Sequence, residues 1–176
     1  GCAALLTAGM TAFFLLVVLL LASVPRLAAA CTTFLLENGA DRVVGKSYDW
    51  HMGQGLVVIN KRGVTKQALA MKPGDTPARW VSRYESVTFN QYGRELPNGG
   101  MNEAGLVVEI MWLDSSVEPP PDARPTTTEL QWSEYMLDRF GTVAELVGAA
   151  DEVLVSRLHG KAHYLAVDRH RACAAF

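Results

Sequence analysis

Residues 1–25 carry no charge, and FFLLVVLLLASV at 13–24 is an almost unbroken apolar run. Such a segment cannot stay in contact with water; it must be buried, inserted in a bilayer or removed. Arg26 follows it, then Ala28-Ala29-Ala30, small side chains of the kind a signal peptidase accepts, and then Cys31. The run opens on Gly1 rather than Met, so a basic n-region would lie upstream of it. A charge-free run of this length also suffices for a membrane anchor. The Ala-x-Ala favours cleavage after Ala30. Residues 1–30 are therefore expected to be a signal peptide, with export to the periplasm or beyond, and the membrane is met only through this leader.

The chain has 176 residues, 49% hydrophobic and 19% charged, enough for one globular domain beyond the leader. After residue 30 acidic side chains outnumber basic ones. No basic patch survives, which argues against a nucleic-acid partner. Cys2 leaves with the leader, and Cys31 and Cys173 alone make no disulfide framework.

Along residues 31–176 the pattern is strands, then two helices, then strands. TTFLL after Cys31 reads as a short buried strand, and Glu37 to Asp41 as the turn of a hairpin whose second strand runs from Arg42 to Trp50. Strands are expected at 55–60, 84–92 and 106–113, with a two-glycine loop at 96–100. Thr126 with Glu129, and Thr142 with Glu145, have the spacing of capping boxes, with Gly141 and Gly160 as C-terminal caps. Strands return at 162–168 and 171–176, the second holding Cys173 as a core residue. This order indicates a layered α+β fold.

If the leader is cut after Ala30, Cys31 carries both a thiol and a free α-amine. The amine has a pKa of about 7.7–8.0, against ~10.4 for Lys, and so accepts a proton near neutrality. Beside it a thiol is an activated nucleophile without a histidine. A carboxylate is needed to hold the amine, and a cation would favour the thiolate. Asp49 and Lys46 are the candidates. On a regular strand they would face opposite ways, so a bend is required.

The blocks CTTF (31–34), GKSYDW (45–50), WVSRYESVTF (80–89) and GGMNEAGLVVE (99–109) occur in an order that resembles the choloylglycine hydrolase/penicillin V acylase family. These are linear amide C–N hydrolases of the N-terminal nucleophile superfamily. The resemblance implies that Cys31 is the nucleophile and that Asp49 holds its amine. Lys46 stands where the family commonly has Arg, a departure that keeps the charge but loses the planar fork. Trp112 stands where the family has Asn or Tyr near the oxyanion hole. A backbone N–H there would still serve, with the indole shaping an apolar acyl pocket. Asn102 is implied as site scaffolding.

The resemblance also implies a four-layer αββα sandwich, with residues 31–176 as the N-terminal portion of a single domain and its C-terminal part missing. The family's downstream Asn and Arg would then lie beyond Phe176, and this piece by itself is expected to be inactive. The implied activity is hydrolysis of a non-peptide amide with an apolar acyl group, the neighbours Trp50, Met52, Met111 and Trp112 lining its pocket. Penicillin V-like amides, conjugated bile salts and N-acyl homoserine lactones are the candidate substrates, bile salts the less favoured. The scheme needs no cofactor or metal and allows a homo-oligomer.

Other readings exist. A lone Cys at a strand start is commonly just buried. A papain-like Cys–His scheme needs a helix at the Cys, and TTFLL is a strand former. His159 and His163 are interrupted by Gly160, so no metal site follows. A lipid-anchored binding module would be acylated at Cys31. That chemistry usually wants Leu three residues before the Cys, where this chain has Ala28.

Overall fold

A computed structural model describes residues 31–39, 41–117, 119–157 and 160–176. The expected leader at 1–30 and His159 lie outside the described residues.

Cys31 is followed at once by a hairpin, β1 (Thr32–Asn38) and β2 (Asp41–Ser47), whose register runs from Thr32 opposite Ser47 to Asn38 opposite Asp41. Gly39 turns it with a φ of 61°, a conformation that glycine adopts without a Cβ clash. β3 (Leu56–Asn60), β6 (Ser86–Asn90), β7 (Pro97–Asn102), β8 (Val107–Trp112), β11 (Ala162–Val167) and β12 (Cys173–Ala175) form a six-stranded sheet in the order β12-β11-β8-β7-β6-β3. The adjacent pairs are antiparallel. A small hairpin of β4 (Thr65–Gln67) and β5 (Arg79–Val81) and a parallel pair of β9 (Thr126–Thr127) and β10 (Leu154–Val155) complete the strands.

The helices α1 (Glu129–Arg139) and α2 (Val143–Ala149) cover one face of the sheet. Leu106, just before β8, and Val108 and Ala166 from the strands meet Met136, Leu137 and Leu146 from the helices, all at 0% exposure. Trp132 and Tyr164 stack at 4.2 Å within this layer. Among the described residues no helix is long and apolar enough to cross a membrane.

Several expectations need correction. Residues 97–102 are a strand rather than a loop. Its two glycines are there for close approach: a Cβ on Gly100 would fall 2.4 Å from the Val87 carbonyl oxygen. Thr128, not Thr126, caps α1, accepting from the Gln131 N–H at 3.0 Å, because Thr126 and Thr127 are drawn into β9. Thr142 does cap α2, but Glu145 bonds the Gly141 N–H. Gly160 caps no helix, since α2 gives way to a 3-10 turn at Ala150–Glu152.

Two burial expectations also fail. TTFLL is covered on one face only: Phe34 and Leu36 are 46% and 59% exposed, because nothing among the described residues packs on the outer side of the hairpin. Cys173 is exposed, as β12 is an edge strand.

Candidate active site

β2 ends at Ser47, and this early termination shapes the site. The register that sets Thr32 opposite Ser47 leaves Cys31 and Tyr48 just beyond the paired strands, and both line one cavity. Beyond that point strand alternation no longer dictates direction, but Lys46 and Asp49 are not brought to one site: Lys46 turns to Glu109 and Asp49 is exposed. Cys31 is half-buried at the rim of a cavity of about 380 Å³.

The cavity is aromatic on one side. Trp50 lies 5.7 Å from Trp112, ring to ring, and its Nε1 donates to the Tyr92 hydroxyl. Trp112 Nε1 donates to Asp114 Oδ1 at 2.8 Å, which fixes the indole. Leu69, Met71 and Leu130 supply the aliphatic wall. Burial, with Tyr92 and the Cys31 thiol nearby, pushes the Tyr48 hydroxyl far above its ordinary pKa, so it remains a neutral phenol. Residues lining the cavity also include Glu129 and Lys161. Glu129 accepts from the Gly160 N–H, and Lys161 donates to the Asp114 carbonyl.

The other candidates are placed as follows. Asp49 is exposed, follows Tyr48 directly, and accepts from Ser47 Oγ at 3.1 Å. Lys46 does not line the cavity that holds Cys31. Its Nζ is 2.9 Å from Glu109 Oε2 and donates to the Asn98 carbonyl at 2.5 Å, on the far side of Tyr48. The cation is therefore committed to a buried carboxylate rather than turned to the thiol.

Asn102 stands away from the cavity, at the opposite end of β8 from Trp112. Its Nδ2 donates to the Leu137 and Phe140 carbonyls, and its Oδ1 accepts from the Ala104 and Leu106 N–H groups. It ties the β7–β8 turn to the end of α1 and does not line the cavity that holds Cys31. Of the four residues expected around an acyl group, Trp50, Met111 and Trp112 line the cavity, whereas Met52 lines a separate one. Tyr48, Tyr92, Leu69, Met71 and Leu130 were not singled out from the sequence. Tyr48 lay inside the GKSYDW block; the others come from segments whose approach to Cys31 carries no local signal.

The Cys31 thiol stands at the head of a hairpin and not at the start of a helix. The hairpin lies against a sheet backed by helices, and this layering is the fold of the N-terminal nucleophile hydrolases. The comparisons agree at the level of individual proteins. No family model matches the chain. It is 33% identical over 81 residues to penicillin V acylase from Pectobacterium atrosepticum, which covers 42% of this chain and 22% of that protein. Its fold is similar to that of penicillin V acylase from Agrobacterium tumefaciens, with a TM-score of 0.67 and 26% identity over 83% of this chain and 45% of that one. A variant of conjugated bile acid hydrolase from Clostridium perfringens gives a TM-score of 0.66 at 14% identity, over 83% of this chain and 47% of that one. The resemblance drawn from the sequence to the choloylglycine hydrolase/penicillin V acylase family stands, and the chain spans less than half the length of these relatives.

Proposed function

We propose that the protein is an exported cysteine amidase that hydrolyses non-peptide linear amides, with Cys31 as the nucleophile once the leader is removed. The observation that carries this reading is the half-buried Cys31 at the head of β1, opening into an apolar, aromatic-walled cavity. In the scheme the α-amine of Cys31 takes the thiol proton and Sγ attacks the amide carbonyl carbon. The tetrahedral oxyanion collapses, the C–N bond breaks, and the amine returns the proton to the leaving nitrogen. Water then cleaves the thioester, releasing the acid and restoring the thiol. Asp49, exposed next to Tyr48, is the carboxylate assigned to hold the new terminus.

The cavity favours an apolar acyl group. Flat aromatic walls at Trp50 and Trp112 match an aryl-alkyl acyl chain such as phenoxyacetyl, the group a penicillin V acylase removes. We therefore place penicillin V-like amides ahead of bile salts and acyl homoserine lactones.

The test is Cys31→Ser in the full-length protein, with the mass of the mature N-terminus measured beside phenoxyacetyl-amide turnover. The expected result is an unmodified Cys31 as first residue in the parent and loss of turnover in the variant. Retained turnover, or a lipid adduct on Cys31, overturns the reading.

A further inference from the structure

The aliphatic wall of the Cys31 cavity comes from two places. Leu130 stands on the first turn of α1, whereas Leu69 and Met71 belong to the connection between β4 and β5. The β4–β5 ladder reaches one step past the strands, where the Ala68 N–H bonds the Ala78 carbonyl at 2.9 Å. Beyond it, residues 69–75 form neither helix nor strand. Leu69 is 48% exposed and Met71 only half-buried, so apolar burial contributes little to holding this segment. Side-chain acceptors hold it instead.

Gln131 of α1 secures one end. It is 2% exposed, and a buried amide costs free energy unless it is hydrogen-bonded. Three residues after the N-cap Thr128, it occupies the position from which a glutamine can reach back to the cap N–H. Its Oε1 accepts instead from the Leu69 N–H at 2.8 Å. Leu69 is thereby registered against Leu130, the residue next to Gln131. Asp75 secures the other end. Its Oδ2 accepts from the Met71 and Lys72 N–H groups, each at 2.8 Å, and Gly74 makes the turn between them with a φ of 93°. Ser156 Oγ donates to the same carboxylate, 2.8 and 3.0 Å from its two oxygens. Ser156 is 5% exposed, and its N–H donates to the Thr127 carbonyl at 2.7 Å, immediately before the α1 cap. Both ties lead back to the start of α1, where Thr128, Glu129 and Leu130 line the cavity.

We propose that Gln131 and the Asp75–Ser156 pair are positioning residues for acyl-group selection: they fix residues 69–75 against the start of α1 and so set the Leu69–Met71 wall where an aryl acyl group fits between it and the indoles. The inference rests on the amidase reading and deepens it. Trp50 and Trp112 supply the flat side of the cavity, and the tied segment determines how closely the aliphatic side approaches. A lock serving stability alone would lower the unfolding midpoint and leave the preference among acyl groups unchanged.

The experiment compares Gln131→Met, which removes the acceptor at similar length, with Ser156→Ala, which removes the tie to Asp75, in the exported full-length protein. The two lie on different elements, so a folding defect in one leaves the other to be read. Amide hydrogen exchange over residues 69–75 is expected to quicken in both. KM for a phenoxyacetyl amide should rise about tenfold while that for the acetyl amide of the same amine barely moves. For both substrates kcat should stay within about twofold of the parent. Gln131→Glu keeps an acceptor and should restore the parent KM. Unchanged exchange, faster exchange with an unchanged KM ratio, or an equal loss on both amides overturns the proposal. Binding of phenoxyacetate, measured by calorimetry on the same proteins, separates the two readings. A parent that hydrolyses no amide rejects the amidase reading; the wall's role then stands if phenoxyacetate binds the parent about tenfold more tightly than the two variants, and falls if it does not.

Discussion

Lys66 of β4 donates to Glu134 of α1 at 2.7 Å with both side chains almost wholly buried. Asp138, one turn further along the helix, shares the same ammonium at 2.9 Å and accepts from Trp80 Nε1 at 2.6 Å. One cation thus serves two carboxylates in the core. Burial works against the Lys66 charge, and the two carboxylates more than reverse it, raising its pKa. Burial likewise raises Glu134, to about 7; Lys66 opposes that, while Asp138 and Glu95 add to it.

This cluster predicts a specific pH dependence. The unfolded value for Glu134 is 4.5, so between about 4.5 and about 7 the folded protein binds more protons than the unfolded chain. Stability must then fall as pH rises through that window. Urea unfolding at pH 5, 6, 7 and 8 is expected to show the decline, and Glu134→Gln is expected to flatten it. Equal slopes in the two proteins would rule out Glu134 as the source. Lys66→Met, which leaves two buried carboxylates without their cation, is expected to cost about 3–5 kcal/mol.

Asp168 has the opposite sign. Burial would raise its pKa, but the Val143, His170 and Ala172 N–H groups all bond its carboxylate and lower it below 3.8 on balance. Its contribution is present above the unfolded value and is lost as pH falls through the lower folded value. Asp168→Asn should therefore lower the thermal midpoint at pH 7 and narrow the gap to the parent at acid pH.

Asn102 satisfies two helix-end carbonyls and two turn N–H groups at once. Asn102→Ala is expected to destabilise the fold by about 2–4 kcal/mol, since buried partners are left unpaired. Cys31 alkylation below the unfolding transition should be unaffected. A selective loss of Cys31 reactivity in a fully folded variant would return Asn102 to the site.

Trp112 and Trp50 form the flat wall of the cavity. Trp112→Ala should lower kcat/KM for a phenoxyacetyl amide about 10- to 100-fold, with a much smaller effect on an acetyl amide. An equal loss on both substrates would mean that the indole acts on the reaction centre instead of the acyl group.

What was legible in the sequence follows the range of each interaction. The strands at 106–113 and 162–168 were readable because their apolar residues outlast any turn signal, and the structure places them at Val107–Trp112 and Ala162–Val167. Thr142 was readable as a cap because capping spans one helical turn. The strand at 97–102 was not, since two glycines in a row read locally as a loop. Their meaning lies in Glu109 and in the Val87 carbonyl, which approach from neighbouring strands.

The same division runs through the candidate site. Local sequence determined that Cys31 begins a hairpin and that Trp112 lies near the end of a strand, because backbone preference and hydrophobic pattern act over a few residues. Whether Lys46 bonds Glu109, and whether Asn102 lines the Cys31 cavity or bonds a helix end, was decided only by tertiary structure. Each outcome depends on a partner more than thirty residues away in the chain. Charge and hydrogen bonding select among partners only after the sheet has brought them within about 3 Å, and residue spacing alone carries no record of that approach.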